Sequence, residues 1–324
     1  MKKQLSTAIA LALCVPVVAS AAPTLYGKAN VSYASTKVEQ GESEESILEV
    51  ASNASRIGVK GAEAISDNLE AIYQAEFEVA FDDGETSDGN VFSKRNIFVG
   101  VKGGFGSVIV GHFDTPLKRA QKKVDLFNDL YGDIKHIITR NENRGSNSLM
   151  YSSPNLSGFM LYADLIASEQ DNDAVPEGSE RSNATSIAAT YEANGFYGAL
   201  AYDLDVEEEG SSAVRAVFQY NFESFQLGLL AEEYERPDND KVSGIMASFQ
   251  YKLNDWALKA QFGQSDIVAE DGTSFSLGAD YKISKNTKLF GFYTNDTFLA
   301  GVDVDGNEID YDANYLGLGM EVKF

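Results

Sequence analysis

The residues most able to do chemistry in this chain crowd between positions 113 and 143, FDTPLKRAQKKVDLFNDLYGDIKHIITRNEN. Four closely spaced cations, Lys118, Arg119, Lys122 and Lys123, precede the acids Asp125, Asp129 and Asp133. Covalent catalysis would need a nucleophile placed with a base, and the only histidines, His112 and His136, sit in no recognisable catalytic motif. Fixed charges without a bond-making group do something else: they set a field that orients water and dipolar solutes. A structureless stretch this long inside a compact domain usually has a function. The reading is that it folds into the lumen of a β-barrel and narrows a water-filled pore. Its basic run reads as a helix-like turn with a solvated or carboxylate-paired face, a phosphate-binding patch being the sharper alternative.

The elements that must position this segment are short strands. Apolar and polar residues alternate over about ten positions at a time, as in Val214, Ala216, Phe218 and Tyr220, or Trp256, Leu258, Ala260 and Phe262. Sixteen strands are expected, at roughly 24–35, 53–62, 69–81, 91–102, 105–112, 145–153, 158–167, 184–193, 196–204, 212–222, 225–235, 242–253, 256–264, 273–283, 287–295 and 311–324. A soluble sandwich would alternate in the same way. The connections separate the two, because short turns such as Asn194-Gly195 and Asn254-Asp255 take turns with long acidic loops such as TKVEQGESEESILEVAS and DTFLAGVDVDGNEIDYD. Short turns at one rim and long loops at the other is an outer-membrane barrel layout. Aromatics near the short turns, among them Phe159, Phe222, Phe225, Tyr251, Trp256 and Tyr281, fit an interfacial girdle. The final strand, with Leu316, Leu318, Met320, Val322 and Phe324 at every second position, is expected to close the barrel with its apolar face outward.

Residues 1–21 have the layout of a secretory leader: Lys2 and Lys3, an apolar run from Ala8 to Val18, and Ala19-Ser20-Ala21 as a cleavage site. A lipoprotein leader ending at Cys14 is disfavoured by the bulky Leu13 before it. Residues 22–324 then form the barrel and contain no cysteine, which excludes disulfides and cysteine-bound metals. They hold 24 basic against 49 acidic residues, a net charge of -25 that argues against nucleic-acid binding. No stretch after the leader approaches the roughly 18 apolar residues of a spanning helix, so membrane entry requires a closed barrel. The acidic segment from Asp303 to Asp312 has glycine in its fourth position instead of the sixth and fails the EF-hand pattern. It reads as hydrated carboxylate, or as a place to share diffuse divalent cations with lipopolysaccharide. Neither a cofactor nor a metal site is expected.

Several stretches resemble the trimeric general porins of Gram-negative outer membranes, of the Neisseria and Comamonas branch. They are LYGKANVS after Thr24, RIGVKGAE after Ser55, RNIFVGVKGGFGSVIVGH after Lys94 followed by Asp114-Thr115-Pro116, SLMYSSPNLSGF after Asn147, and the terminal Phe324. The resemblance implies an all-β fold, a sixteen-stranded antiparallel transmembrane barrel whose third outer loop, here 113–143, folds inward as the constriction. It implies a basic wall of Lys28, Arg56 and Arg95 facing Asp125, Asp129 or Asp133 on that loop. Parity agrees, since Lys28 shares a face with Asn30 and Ser32, and Arg56 opposes the outward Ile57 and Val59.

Met150 stands where many relatives carry a further arginine, and Arg144 is placed to compensate from higher in the pore. The resemblance further implies an outer-membrane homotrimer, with residues 24–112 and the last strand at the interface and Asp82 to Asn90 latching onto a neighbour. Passive diffusion of ions and small hydrophilic solutes follows, without a cofactor. A substrate-selective channel and a non-conducting adhesin barrel are the alternatives. Ion selectivity is expected to be weak, tilting toward cations at low salt, with Met150→Arg shifting it toward anions.

Overall fold

The computed structural model describes residues 22–86, 89–169, 183–302 and 307–324. The leader assigned to 1–21 and part of the acidic segment, 303–306, lie outside them. The alternating stretches form one sheet of antiparallel strands: β1 (Thr24–Gln40), β2 (Ser43–Ser52), β3 (Arg56–Ser66), β4 (Leu69–Glu78), β5 (Ser93–Gly103), β6 (Gly106–Asp114), β7 (Arg144–Ser152), β8 (Phe159–Ile166) and β9 (Ala184–Ala193). It continues through β10 (Phe196–Leu204), β11 (Ser212–Phe222), β12 (Phe225–Glu235), β13 (Lys241–Leu253), β14 (Trp256–Ser265), β15 (Gly272–Lys282), β16 (Thr287–Val302) and β17 (Glu308–Lys323). β17 pairs back onto β1, from Lys28 opposite Lys323 to Gln40 opposite Tyr311, so the sheet closes and leaves no edge. β2 and β3 both pair with β1, along residues 31–40 and 24–28, and are two halves of one strand interrupted at 53–55. The barrel therefore has sixteen strands.

Burial is inverted relative to a soluble protein. Along β12, Leu227 and Leu229 are about half exposed, while Gln226 before them and Glu232 beyond them are buried. Lipid against the outer face and a covered lumen inside satisfy both sets of side chains. At the closure, Phe324 exchanges backbone hydrogen bonds with Gly27 at 2.9 and 3.1 Å. Its ring occupies the space that a Cβ on Gly27 would need, so the terminal aromatic needs a glycine beneath it.

The strands run further than alternation predicts. Residues 36–52 and 296–312 read as loops from their carboxylates, yet β1 extends to Gln40, β2 starts at Ser43, and β16 and β17 reach Val302 and Glu308. A ladder needs only backbone partners, and β1 has one on each side, β2 and β17, through this region. Polar side chains on both faces hide such extensions from a period-two search.

The segment after β6 turns inward. Thr115 caps α1 (Pro116–Ala120) by accepting from the Lys118 backbone N–H at 3.3 Å, with Pro116 in the first turn, where its missing donor costs nothing. Asp133 caps a single 3-10 turn, Ile134–His136, accepting from the Lys135 N–H at 3.0 Å. Between and around these turns the apolar side chains point to the wall. Leu117 and Ala120 pack on Ala188, Ala201, Ala213 and Tyr234. Val124, Ile134 and Ile138 pack on Tyr197, Val217, Leu230 and Met246, and Phe127 on Phe290 and Phe292. Each such side chain removed from water contributes about 1.5–3 kcal/mol, so the inserted segment is a docked layer.

Candidate constriction site

Opposite the docked face lies the wall formed by β1 and β3 to β5. Inward parity on β1 and β3 places Lys28 and Arg56 beside each other, as cross-strand partners. Both reach the same carboxylate: Lys28 Nζ is 2.7 Å and Arg56 Nη2 2.6 Å from Asp129 Oδ2. Asp129 sits at φ 69, a left-handed conformation that aspartate tolerates, and its backbone N–H donates to Asp133 at 2.8 Å. Burial alone would raise its pKa, but Lys28 and Arg56 outweigh that and hold it down at about 2. The loop tip thus touches the basic wall and does not merely face it across open lumen.

The break between β2 and β3 gives this contact its shape. Ser55 Oγ accepts from the Asn30 N–H at 2.9 Å and donates to the Asn30 carbonyl at 3.1 Å, taking over ladder bonds that the bulge removes. Asn53 donates through Nδ2 to Ser32 Oγ at 3.0 Å. Arg56 Nε donates to the carbonyl of Ala54 at 3.0 Å, so the bulged backbone itself aims the guanidinium.

Arg95 is held differently. Its Nε lies 3.0 Å from Glu76 Oε1 and its Nη1 2.7 Å from Glu78 Oε2. Tyr26 donates its hydroxyl to the other oxygen of Glu76 at 3.0 Å. The sequence reading missed both glutamates, although β4 parity carries Gln74, Glu76 and Glu78 on the inward face. Arg144 Nε is 2.9 Å from Asp114 Oδ1, which also has Lys118 Nζ at 3.5 Å.

Of the three loop acids, Asp129 and Asp133 border the opening, and Asp125 does not. Asp125 turns to the wall, where it accepts from the Phe127 and Ile134 N–H groups at 3.0 and 3.2 Å and from Gln261 Nε2 at 3.1 Å. Burial first, then the neighbouring Asp133, push its pKa well above the usual carboxylate range, against the pull of those donors. Expecting it to face the basic wall is corrected by this geometry: it staples the loop to β14. Asp133 is mostly engaged in capping, and Asp129 makes the contact.

Met150 requires a second correction. It does not face the opening, being fully buried with Ile109 and Phe113, and Arg119 Nη1 lies 3.1 Å from its sulfur. The cation absent from the wall arrives from the loop, with Arg119 stacked over Tyr162 at 5.1 Å. An arginine at 150 would stand against Arg119.

The far leg of the loop is tied down by a network that sequence reasoning did not find. Arg215 is fully buried, with Nε 2.6 Å from Glu232 Oε2 and Nη1 2.7 Å from Glu142 Oε1. Its Nη2 donates to Thr139 Oγ1 at 3.0 Å, and Asn141 Nδ2 to Glu232 Oε1 at 2.8 Å. Arg215 and Glu232 are directly opposed on β11 and β12 with inward parity, which was the available signal. Among the described residues no group of three metal-ligating side chains occurs.

What remains open between loop and wall is a cavity of about 610 Å³. Seven Lys and Arg residues, Lys135 among them, and five Asp and Glu residues line it, with His136 on the loop side. Such a passage can select by width and by charge.

The sequence matches the family described as Gram-negative porin over residues 6–300. The major outer membrane protein P.IB of Neisseria gonorrhoeae is 31% identical over 334 residues, covering 89% of this chain and 91% of that protein. The P.IB of Neisseria sicca is 33% identical over 217 residues, 62% of this chain, and that match spans 57% of the relative's length. Among solved structures, the anion-selective porin from Comamonas acidovorans superposes with a TM-score of 0.74 at 19% identity, covering 94% of this chain and all, 100%, of that one.

Proposed function

Because the chain belongs to the Gram-negative porin family and is an outer-membrane porin, we propose that the cavity between the inserted loop and the basic wall is its constriction. Ions and small hydrophilic solutes cross it by passive diffusion. The observation that carries this reading is the pairing of Lys28 and Arg56 with Asp129, which fixes the loop tip against one wall and confines passage to the neighbouring opening. Arg95 and Arg144, each held by a carboxylate, keep their remaining donors beside the opening as fixed charge. Refolded protein in planar bilayers should give stepwise conductance, and its absence from properly folded material would end the channel reading.

The opening is lined by more cations than anions, and the acids that reach it are mostly paired. At high salt, where the Debye length is about 3 Å, distant loop carboxylates are screened and the opening governs, giving weak anion preference. Below physiological salt the acidic rim extends its field and the preference tilts toward cations. Reversal potentials under a fixed KCl ratio at high and low absolute salt decide the point; strong anion selectivity at low salt would refute it.

The assembly is proposed to be a homotrimer, with β1 to β6 and β17 toward the neighbours and the segment from Asp82 to Asn90, of which 87 and 88 lie outside the described residues, as the latch. Support comes from the exposed apolar side chains Ile47, Leu48, Val50, Val91, Phe92 and Val99 on that side. Mass measurement in mild detergent tests it, and a monodisperse monomer would sink it. Contacts with lipopolysaccharide through divalent cations at the acidic rim belong to the same proposal.

A further inference from the structure

Exposed carboxylates crowd the long-loop rim of the barrel. At the long-loop rim stand Glu42, Glu45, Asp83, Glu85, Glu209 and Glu270, exposed and without an ion-pair partner among the described residues. Three of the cations there are neutralised, Lys37 by Glu39 at 2.5 Å, Arg236 by Asp240 at 2.6 Å, and Lys241 by Glu233 at 2.9 Å, while Lys94 and Arg140 have no carboxylate partner among the described residues.

One sector of the short-turn rim is the converse, although Glu63, Asp67, Glu70 and Glu223 stand exposed elsewhere on that rim. One inward-facing cavity of about 360 Å³ between the ends of β13 to β17 is lined by five lysines, Lys252, Lys282, Lys285, Lys288 and Lys323, and by three acids, Asp255, Asp280 and Glu321. Asp280 is taken by Lys259 and Lys288 at 2.8 and 2.9 Å, and Glu321 by Lys323 at 3.0 Å. Lys252, Lys282 and Lys285 are exposed and have no carboxylate partner among the described residues. Parity explains the placement: Lys252 shares its face with Met246 and Ser248, and Lys282 with Ser274 and Ser276, all buried in the lumen.

From this segregation, and resting on the channel reading above, we infer that the pore is an ionic rectifier, with Lys252, Lys282 and Lys285 acting as the anion-collecting residues of its short-turn mouth. Carboxylates at one mouth hold mobile cations, and free ammonium groups at the other hold mobile anions. When the long-loop side is positive, cations enter through the end that concentrates them and anions enter through theirs. Both meet inside, the carrier concentration rises, and current is large. Reversed polarity sweeps both outward and depletes the pore.

The test is single-channel current against voltage for refolded residues 22–324 in symmetric KCl. Because these residues contain no cysteine, Asp238→Cys labelled by a bulky, impermeant thiol reagent reports which chamber faces the long loops. The expected ratio of currents at opposite polarities exceeds about 1.5 at 0.1 M, where the Debye length is about 10 Å, and falls toward one at 1 M, where it is about 3 Å. Current is larger with the long-loop chamber positive. The triple variant Lys252→Gln, Lys282→Gln, Lys285→Gln should lower the ratio at 0.1 M and leave conductance at 1 M unchanged. The corresponding arginine variant should keep the parent ratio, separating charge from any structural effect. Symmetric currents at 0.1 M, the opposite polarity, or an unchanged ratio in the glutamine variant would each overturn the inference while leaving the channel intact. Absence of conductance at every voltage would overturn the channel reading and the inference with it.

Discussion

Two parts of the lumen wall meet the inserted loop in opposite ways. From β9 to β16 the wall offers Tyr197, Val217, Leu230, Met246 and Phe290, and the loop lays its apolar side chains on them. From β1 to β5 it offers Lys28, Arg56, Arg95 and Glu49, and the loop meets them mainly through polar bridges, Asp129 to Lys28 and Arg56 and the Tyr131 hydroxyl to Glu49 at 2.5 Å. The same alternating strands therefore make a mooring on one side and a charged bank on the other. Apolar contact excludes water and fixes position, whereas ion pairs beside a wet lumen leave room and charge for what passes. A loop moored on both sides by apolar contact would plug the barrel, and one held by charge alone would depend on salt and pH.

Breaking the mooring should have the largest effect. Arg215→Met leaves Glu142 and Glu232 buried without their cation, a loss expected to be about 3–5 kcal/mol, measurable as a shift of the unfolding midpoint in denaturant. The freed leg of the loop should also give a larger and noisier single-channel current. Phe127→Ala removes a fully buried ring between the loop and Phe290, and about 3 kcal/mol is expected, the low end for a buried phenylalanine, because lumen water can refill the space.

Changes on the charged bank should alter transport more than stability. Asp129→Asn releases Lys28 and Arg56 toward the opening, so reversal potentials should move toward anions; movement toward cations would show that Asp129 is not their counter-ion. The pH dependence follows from its depressed pKa of about 2 against an ordinary value of 3.8. Its contribution is present in full above the ordinary value and is lost as pH falls through about 2, the sign expected for a carboxylate stabilised by cations. The loop-tip contact should consequently hold from neutral pH to about pH 4, and conductance attributable to it should change only under more acidic conditions. The smallest effect belongs to Asp125→Asn: facing the wall, it should leave the reversal potential unchanged, and a clear shift would return it to the pore.

Strand parity and loop alternation made the barrel legible, because a side chain on a strand has only two directions and lipid punishes the wrong one. Parity likewise identified Lys28 and Arg56 as inward, and the long charged interruption at 113–143 marked the inserted loop. The acidic extensions of β1, β2, β16 and β17 were not legible, since nothing in their side chains declares a ladder made by neighbours distant in sequence.

Which way each loop acid turned was also beyond the sequence. Asp125 and Asp129 are four residues apart and chemically identical, yet Gln261 and two backbone N–H groups draw one to the wall while Lys28 and Arg56 draw the other to the bank. The sequence by itself determined the number and order of the strands, their lumen-facing positions and the excess of carboxylate over ammonium. Only the tertiary structure decided which charges are cancelled, because cancellation depends on separations of a few ångströms between residues up to a hundred positions apart, and the Coulomb energy that matters falls off with that distance.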